Sequence, residues 1–407
     1  MVKQIFRFQL FSLVGKIEEH FIPMKNILIL LVVMSMLFFC HKGKDKITEK
    51  KIDFKSISIA KKDIKFFTEI GKITRVVKLE SKDNSLIGNV NLVTHDEKGD
   101  FYVGDYYSGK KVLRFDNNGN FITNYGRPGQ GPGEYVNILC FTPDTEGNIV
   151  LVTSSKLIKF NKDGKFLKEK RINYFVRDIA IIDNLIYLYV LRYLVAKKDR
   201  KAIFILDPDF EKVGEISQYD TRLQKYLFLP KKIFGKSNNQ LYFIDIYDLR
   251  LNIFNPDLQE LSYLQIPNEN AKLDSIWRKK RLSRKDEKII GNRMHRFGLI
   301  FGFKDWIFLY ERYREKNLYY DAWLLNPVKR KAIIFPYLMM CRYSDKKFPP
   351  NLYFNYIAGS YENGIIGVFD SVERFNKYKK DFPILKGIEF KTEDNPILAL
   401  FEFDRVE

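Results

Sequence analysis

Cysteine and histidine are scarce in this chain of 407 residues. The few that occur are Cys40, Cys140 and Cys341, with His20, His41, His95 and His295. Cys140 and Cys341 lie in apolar stretches and lack the spacing of a disulfide framework or a metal-binding cluster. HExxH and GxSxG are both absent, so the usual sequence patterns of zinc and serine hydrolysis are missing. These observations predict buried free thiols at positions 140 and 341, no catalytic residues and no metal site.

The chain also lacks an N-terminal hydrophobic run of the length that a membrane-spanning helix needs. The run at residues 27–39 has 13 residues, whereas a spanning helix needs about 20. Preceded by Lys25, it is typical of the apolar core of a secretory signal. We therefore predict an export signal at residues 1–39. Met24 is a second candidate start, because residues 1–23 place a polar segment ahead of the short basic region.

Cys40 ends the apolar run and precedes the charged segment HKGKDK. A cysteine in this place resembles the lipobox of bacterial lipoproteins, in which the cysteine becomes the first residue and carries the acyl chains. Leu37 stands at the usual leucine position, whereas Phe38 and Phe39 depart from the pattern, since a small residue normally precedes the cysteine. The resemblance implies lipidation of Cys40, export to the cell envelope and a lipidated tether at residues 40–65. An uncleaved anchor or a signal without a lipid is the alternative, and which membrane receives the protein stays open.

Charge and aromatic content narrow the class of protein. The formal net charge is +19, and aromatic residues make up 15% of the chain. Aromatic and β-branched residues favour sheet, and the basic surplus attracts polyanions or serves only solubility. Export argues against nucleic acid as the partner, and no groove-entering or base-stacking motif accompanies the charge.

A repeat runs along the chain. Residues 92–126 contain four short strands separated by turns at Gly99, Gly109 and Gly119, which is the pattern of four antiparallel strands. The aromatic or leucine that opens the third turn recurs at Phe115, Phe160, Leu206 and Phe254. This period suits one four-stranded propeller blade of about 40 to 50 residues. We predict an all-β, six-bladed β-propeller at residues 66–407, and we expect it to be a monomer.

Two helical segments interrupt the later blades. Residues 268–296 lack strand alternation and are rich in helix formers, so they predict a helical insertion. Residues 371–381 predict a second helix inside the sixth blade. The first insertion carries a basic run beside Trp277 that could contact a polyanion or simply be solvated: Arg278, Lys279, Lys280, Arg281, Arg284 and Lys285.

The chain resembles the six-bladed β-propeller proteins of bacterial envelopes, which are distantly similar to NHL-repeat propellers. Four stretches carry the resemblance: residues 76–90, the string NYGRPGQGPGEY at 124–135, the FDNNG and FNKDG turns, and residues 395–403. The string contains the expected structural link between blades one and two: Gly126, Gly129, Gly131, Pro132, Gly133, Glu134 and Tyr135. In such folds an N-terminal strand usually completes the last blade. Either residues 76–79 or the terminal LALFEF could fill that place.

The other candidate residues can be explained by structural roles alone. The glycines of the link have the outer spacing of a phosphate-binding loop but lack its Lys-Ser/Thr and its helix, so a turn is expected. Asp105, Asp245 and Asp248 follow second strands and could approach one face, or could cap turns. His95 and His295 are expected to be surface or packing residues.

Three functions remain open at this stage. The first is a non-catalytic lipoprotein that binds a protein, peptide or glycan on propeller loops. The second is a hydrolase or lyase with a divalent metal held by carboxylates in the channel. The third is an adhesin for anionic lipid or acidic polysaccharide that uses the basic run. The sequence favours the binding protein and indicates no cofactor.

Overall fold

The computed structural model describes residues 48–51, 71–191, 201–218, 232–245, 250–257, 260–265, 279, 283–286, 296–314, 318–329, 331–335, 356–380 and 382–404. The chain divides into two units, Met1–Ile47 and Thr48–Glu407, and all described residues belong to the second. The predicted export signal and Cys40 lie outside the described residues.

Six antiparallel sheets, each built from four principal strands, form the blades. Blade one consists of β3 (Leu92–His95), β4 (Phe101–Asp105), β5 (Lys111–Phe115) and β6 (Phe121–Asn124). Blade two consists of β9 (Cys140–Pro143), β10 (Ile149–Val152), β11 (Lys156–Phe160) and β12 (Phe166–Arg171). Blade three consists of β13 (Phe175–Ile182), β14 (Leu185–Leu191), β15 (Lys201–Leu206) and β16 (Lys212–Gln218).

The later blades repeat this order. Blade four consists of β17 (Phe234–Ser237), β18 (Gln240–Asp245), β19 (Arg250–Asn255) and β20 (Glu260–Gln265). Blade five consists of β21 (Arg296–Phe303), β22 (Trp306–Arg314), β23 (Leu318–Asn326) and β24 (Lys331–Phe335). Blade six consists of β25 (Tyr356–Tyr361), β26 (Gly364–Phe369), β27 (Ile397–Glu402) and β2 (Lys72–Lys78).

The blades form a closed ring around their first strands. Each of β3, β9, β13, β17, β21 and β25 contacts the first strand of the next blade, and β25 contacts β3. Apolar residues from neighbouring blades meet between the sheets, as where Val93 of blade one and Ile366 of blade six share one buried cluster. The predicted six-bladed β-propeller is therefore confirmed.

Both candidate closing segments take part in closing the ring. β27 is the third strand of blade six, and β2 pairs with it antiparallel as the outermost strand, with Val76 opposite Ala399. The two ends of the propeller are thus held in one sheet, which leaves no open gap between the first and last blades.

A fifth strand extends blade four. β1 (Thr48–Lys51) pairs in parallel with β20, so that Thr48 lies opposite Glu260. These four residues belong to the segment that the sequence analysis predicted as a tether. Their pairing covers the outer edge of blade four, which would otherwise present free backbone N–H and C=O groups.

Short turns with an Asp or Asn at the first position join many of the strands. In blade one, Asp96 Oδ1 accepts hydrogen bonds from the backbone N–H groups of Lys98 (3.0 Å) and Asp100 (3.1 Å). Asp116, Asp144, Asn161 and Asp207 bind the amides two and four residues ahead in the same way. This local bonding explains why the short polar side chain recurs in the repeat.

Glycine has the predicted positive φ in only some of the turns. Gly99 and Gly119 have φ values of 82° and 90°, as tight hairpins require. In the turn at Ser108-Gly109, however, Lys110 carries the positive φ, 48°. In blade three, Phe210 stands at the glycine position with φ 67° and is buried against its blade.

The connections lie at two opposite ends of the ring. The turns between first and second strands, and between third and fourth strands, share one end because successive strands are antiparallel; we name this end the turn face. The second-to-third connections and the links between blades share the other end, the link face. Helix α1 (Val372–Lys379) lies between β26 and β27 on the link face, where the second helix was predicted. Its Phe375 packs edge-on against Phe369 at 5.4 Å between centroids.

Candidate functional site in the central channel

A cavity of about 470 Å³ occupies the central channel. Residues from all six blades line it, mainly from the first strands and the turns that follow them. The strands approach closely at glycines: a Cβ on Gly302 would lie 2.5 Å from the carbonyl oxygen of Lys236. The volume falls within the roughly 300–1,000 Å³ range of small-molecule sites.

Among the charged residues that line the cavity, four form no ion pair with a described residue, and they lie where the first strands reach the turn face. Lys236 and Lys304 belong to blades four and five, and Glu97 and Glu362 belong to blades one and six. The cations therefore lie on two neighbouring blades and the anions on two others. The sequence analysis did not identify these residues. Aligning the repeats on the end of each first strand would have brought the four positions together.

Lys236 is the cation with the most unusual surroundings. It is surrounded by the channel walls yet exposed to the channel solvent. Burial and then the nearby charge of Lys232 lower its pKa, while Glu97 and Asp144 act in the opposite direction. Among the residues that the structure describes, no carboxylate forms an ion pair with its ammonium group.

His95 lies beside this cluster at the end of β3. Its ring lies 4.9 Å from that of Tyr361, and its Nδ1 is 2.9 Å from the backbone oxygen of Asp96. Since a carbonyl only accepts, Nδ1 carries the proton and Nε2 is left as an acceptor. Burial lowers the pKa of His95, and Lys236 adds to this effect. The sequence analysis expected a surface or packing residue here, and the structure places His95 in the lining of the channel.

Two other carboxylates that line the cavity are already engaged. Asp96 Oδ2 accepts from the Tyr102 hydroxyl at 2.9 Å and lies 3.5 Å from Arg114. Asp144 Oδ2 accepts from Asn148 Nδ2 at 3.0 Å and lies 3.1 Å from Lys159 Nζ. Their remaining oxygens bind turn amides. Both side chains therefore shape the turns and offer little to a ligand.

A buried ion pair joins blades three and four beside the channel. Asp178, 1% exposed, lies 2.9 Å from Lys232 Nζ. It also accepts hydrogen bonds from the backbone N–H groups of Ile179 (2.9 Å), Ile233 and Phe234 (both 2.7 Å). A register shift in β13 between Val176 and Asp178 places the carboxylate there. Lys232 is thus neutralised within the fold, unlike Lys236.

The predicted Gly/Pro link forms a compact loop on the link face. β7 (Arg127–Pro128) and β8 (Glu134–Tyr135) pair in parallel. Glu134 accepts from the Gly131 amide at 2.9 Å and from Arg127 Nε at 2.7 Å. Hydrogen bonds to the Gly131 amide and to Arg127 lower its pKa. The loop joins two short strands and does not lead into a helix, as a phosphate-binding loop would.

Close contacts explain the glycines of the link. Gly126 and Gly133 have φ values of 68° and 71°. A Cβ on Gly126 would lie 2.7 Å from the carbonyl oxygen of Gly133, and a Cβ on Gly133 would lie 2.9 Å from the ring of Phe166. The Tyr135 hydroxyl is buried and donates to the Tyr125 carbonyl at 2.9 Å. Gly129, Gly131 and Pro132 complete the loop between the two short strands.

The remaining predicted residues lie apart from the channel cluster. Asp105 is fully buried and accepts from the amides of Gly88 (2.8 Å) and Ser108 (3.1 Å), so it caps a turn. Cys140 is buried in β9 and is a free thiol whose pKa is raised by burial. Cys341, His295, Asp248 and the side chain of Asp245 lie outside the described residues.

The predicted basic run is described only in part. Lys279, Arg284 and Lys285 are exposed, whereas Arg278, Lys280, Arg281 and most of the predicted insertion 268–296 lie outside the described residues. Residues 284–286 are helical. The Ser283 hydroxyl accepts from the Asp286 amide at 3.2 Å, and the Asp286 carboxylate accepts from the Ser283 amide at 2.9 Å, as in a capping box. Lys279 forms an ion pair with Asp286 at 2.7 Å.

The described residues contain neither a metal-binding cluster nor a membrane-spanning helix. Within the ranges given above, no three His, Cys, Asp or Glu side chains come close enough to hold a metal ion. No helix in the described part of the chain has both the length and the apolar character needed to cross a membrane.

Three bacterial proteins are among the solved structures that are similar to this chain. A Bacteroides fragilis protein named as exported is 16% identical, with a TM-score of 0.59 over 88% of this chain and 100% of its own. A member of the DUF4221 family from Bacteroides vulgatus is 12% identical, with a TM-score of 0.51 over 83% of this chain and 98% of its own. Virginiamycin B lyase from Staphylococcus aureus is 14% identical over 82% of this chain and 99% of its own. Its TM-score of 0.39 is too low to support an inference about activity.

Sequence families give a more direct assignment. No curated protein matches this sequence. Residues 50–402, which include all six blades, match one family over most of the chain. The chain belongs to the family described as Domain of unknown function (DUF4934).

Proposed function

We propose that this chain is an exported, lipid-anchored binding protein that holds a small ligand in its propeller channel. The observation that carries the proposal is the channel cavity of about 470 Å³, in which Lys236 has no ion-pair partner among the described residues. A concave site with a few convergent polar groups is the usual form of a small-molecule site. The proposal requires no catalytic residue and no cofactor.

Export is supported by the sequence. The apolar run at residues 27–39 ends at Cys40 in the manner of a lipoprotein signal. The similar Bacteroides fragilis protein is also named as exported. Both observations favour export, and the first also favours attachment to a bacterial membrane through a lipid on Cys40.

Metabolic labelling tests the anchor. The full chain is expressed in a bacterial host with an alkyne fatty acid, and the wild type is compared with Cys40→Ser. We expect the wild type to carry the label in the membrane fraction and Cys40→Ser to lose it. Cys341→Ser is the matched control and should keep the label. Equal labelling of wild type and Cys40→Ser would contradict lipidation at this residue.

A fragment screen tests binding in the channel. Ligand-observed NMR with a diverse set of charged and neutral fragments is run on the full chain in detergent. Thr94, which lines the cavity, is replaced by Phe to fill it. Ile122→Phe, on an outer strand where the side chain is 43% exposed, is the matched control. We expect fragments that bind wild type and Ile122→Phe but not Thr94→Phe. Absence of any such fragment would refute a binding channel.

A further inference from the structure

The charges at the turn-face end of the channel are separated by sign around the ring. In a ring of six blades, blade one lies opposite blade four and blade two lies opposite blade five. Glu97 of blade one therefore faces Lys236 of blade four across the channel, and both line the same cavity. Glu362 and Lys304 extend the two halves onto the neighbouring blades six and five. The result is one cationic half and one anionic half.

The fold leaves these four groups available. Glu97, Lys236 and Lys304 have no side-chain hydrogen bond or ion pair with any described residue, and all three are exposed to solvent. Glu362 shares a hydrogen bond with the Tyr361 hydroxyl, which leaves the rest of its carboxylate open. The neighbouring carboxylates of Asp96 and Asp144 are saturated by turn amides and by cations of the fold. These four charged side chains therefore remain available to a ligand, because the turns do not need them for their own hydrogen bonds.

This separation selects the charge of a ligand. A polyanion would be attracted to Lys236 and Lys304 but repelled by the two glutamates. A polycation would be attracted to the glutamates but repelled by the two lysines. A molecule with one anionic and one cationic end satisfies both halves at once. A neutral ligand would leave all four charges without a partner inside a confined cavity, where desolvation is costly.

We infer that the turn-face end of the channel binds a small zwitterion, with its anionic group at Lys236 and Lys304 and its cationic group at Glu97 and Glu362. The inference rests on the proposed binding function and deepens it. Short peptides with free termini have this chemistry, since each carries a carboxylate and an ammonium group separated by a short backbone. His95 adds an Nε2 acceptor at the anionic half, where an ammonium group can donate to it.

Equilibrium dialysis with peptide pools tests the inference. The full chain in detergent is dialysed against random-sequence tripeptides with free termini, and retained peptides are measured by mass spectrometry. Parallel pools carry an N-terminal acetyl group or a C-terminal amide, each of which removes one charge. We expect retention of the free pool and a loss of about tenfold or more with either cap, as for a charged hydrogen bond removed.

Variants connect the effect to the named residues. Lys236→Met and Glu97→Gln should each weaken retention of the free pool by about tenfold or more. Lys98→Met is the matched control, because Lys98 is exposed in the same turn as Glu97 but does not line the cavity. Its retention should equal that of the wild type. Circular dichroism and the thermal midpoint of every variant establish that the fold is intact.

The possible failures are distinct. Equal retention of free and capped pools, or retention unchanged in both Lys236→Met and Glu97→Gln, would overturn the zwitterion site. If capped peptides or neutral fragments are retained and then lost in Thr94→Phe, the channel is a binding site and only its proposed ligand class is wrong. If no pool is retained, the zwitterion site is overturned, and the fragment screen separately decides whether the channel binds anything.

Discussion

Asp178 offers the sharpest test of how the ring is held together. Its buried carboxylate joins blade three to blade four through Lys232 and through the amides of Ile233 and Phe234. Replacing it by Ala removes one partner of a buried ion pair and leaves two amides of the next blade without their acceptor. We therefore expect Asp178→Ala to destabilise the propeller more than any loss of a surface charge.

The magnitude follows from these contacts. Removing one partner of a buried ion pair costs about 3–5 kcal/mol, and the lower end applies because the Lys232 side chain is 16% exposed to the channel. Two unsatisfied amides add about 1 kcal/mol each at the lower limit. The free energy of unfolding should fall by about 5 kcal/mol, a large part of the roughly 5–15 kcal/mol of an ordinary domain. Asp178→Asn keeps one acceptor oxygen and should cost about 3 kcal/mol.

Guanidinium unfolding followed by tryptophan fluorescence measures the effect. Asp209→Asn is the matched control, because the Asp209 side chain is 82% exposed in its pair with Lys168 and a solvent-exposed ion pair contributes little to stability. If Asp178→Ala does not fold, Asp178→Asn and its double mutant with Lys232→Met remain measurable. The double mutant should lose less than the sum of the single changes. A cost for Asp178→Asn equal to that of Asp209→Asn would refute the reasoning.

Three further predictions follow from local geometry. Gly126→Ala should cost about 2–4 kcal/mol, from its positive φ and from overpacking. Gly387→Ala should cost only about 1 kcal/mol, because φ is 83° but no atom lies within 4 Å of the new Cβ; equal midpoints in thermal unfolding would contradict this. The pKa of Glu134 is lower in the folded protein than its ordinary value of 4.5, so on acidification the unfolded chain takes up the Glu134 proton before the folded chain does. The stability that Glu134 contributes is therefore complete above pH 4.5 and is lost as the pH falls through the folded pKa. The acid loss, measured by denaturant titrations at several pH values, should be smaller in Glu134→Gln. Cys140, buried and with a raised pKa, should resist iodoacetamide in the folded protein and react after unfolding, as peptide mass spectrometry can show; rapid labelling of the folded chain would exclude its burial.

The sequence predicted the blades best where local chemistry decides the structure. In blades one and two, alternating strands meet turns in which Asp or Asn binds the following amides and Gly supplies a positive φ, so four short strands are visible in each. Blade three shows the limit of this rule. Phe210 replaces the expected glycine with φ 67°, because burial of its ring compensates for a backbone conformation that the residue type does not favour.

Non-local pairing set the second limit. The sequence analysis treated residues 76–79 and the C-terminal strand as alternatives for closing the ring, whereas the structure pairs β2 with β27 in one sheet. Neither strand contains a local signal for its partner, because the residues that pair, such as Lys72 and Glu402, lie at opposite ends of the propeller sequence. The fifth strand, β1, was missed for the same reason. Its parallel partner, β20, lies more than 200 residues further along the chain.

The net charge gave no indication of the channel charges, because it sums over the whole chain and says nothing about single positions inside a ring. A net charge of +19 favours polyanions in general, yet the turn-face end of the channel holds Lys236 and Lys304 against Glu97 and Glu362. Which of its charges remain open depends on the turns. The Asp96 carboxylate accepts hydrogen bonds from two amides of its own turn and from the Tyr102 hydroxyl. Glu97, the next residue, forms no such bond with a described residue. The proposed ligand chemistry therefore depends on single positions at the ends of the first strands and not on the charge of the whole protein.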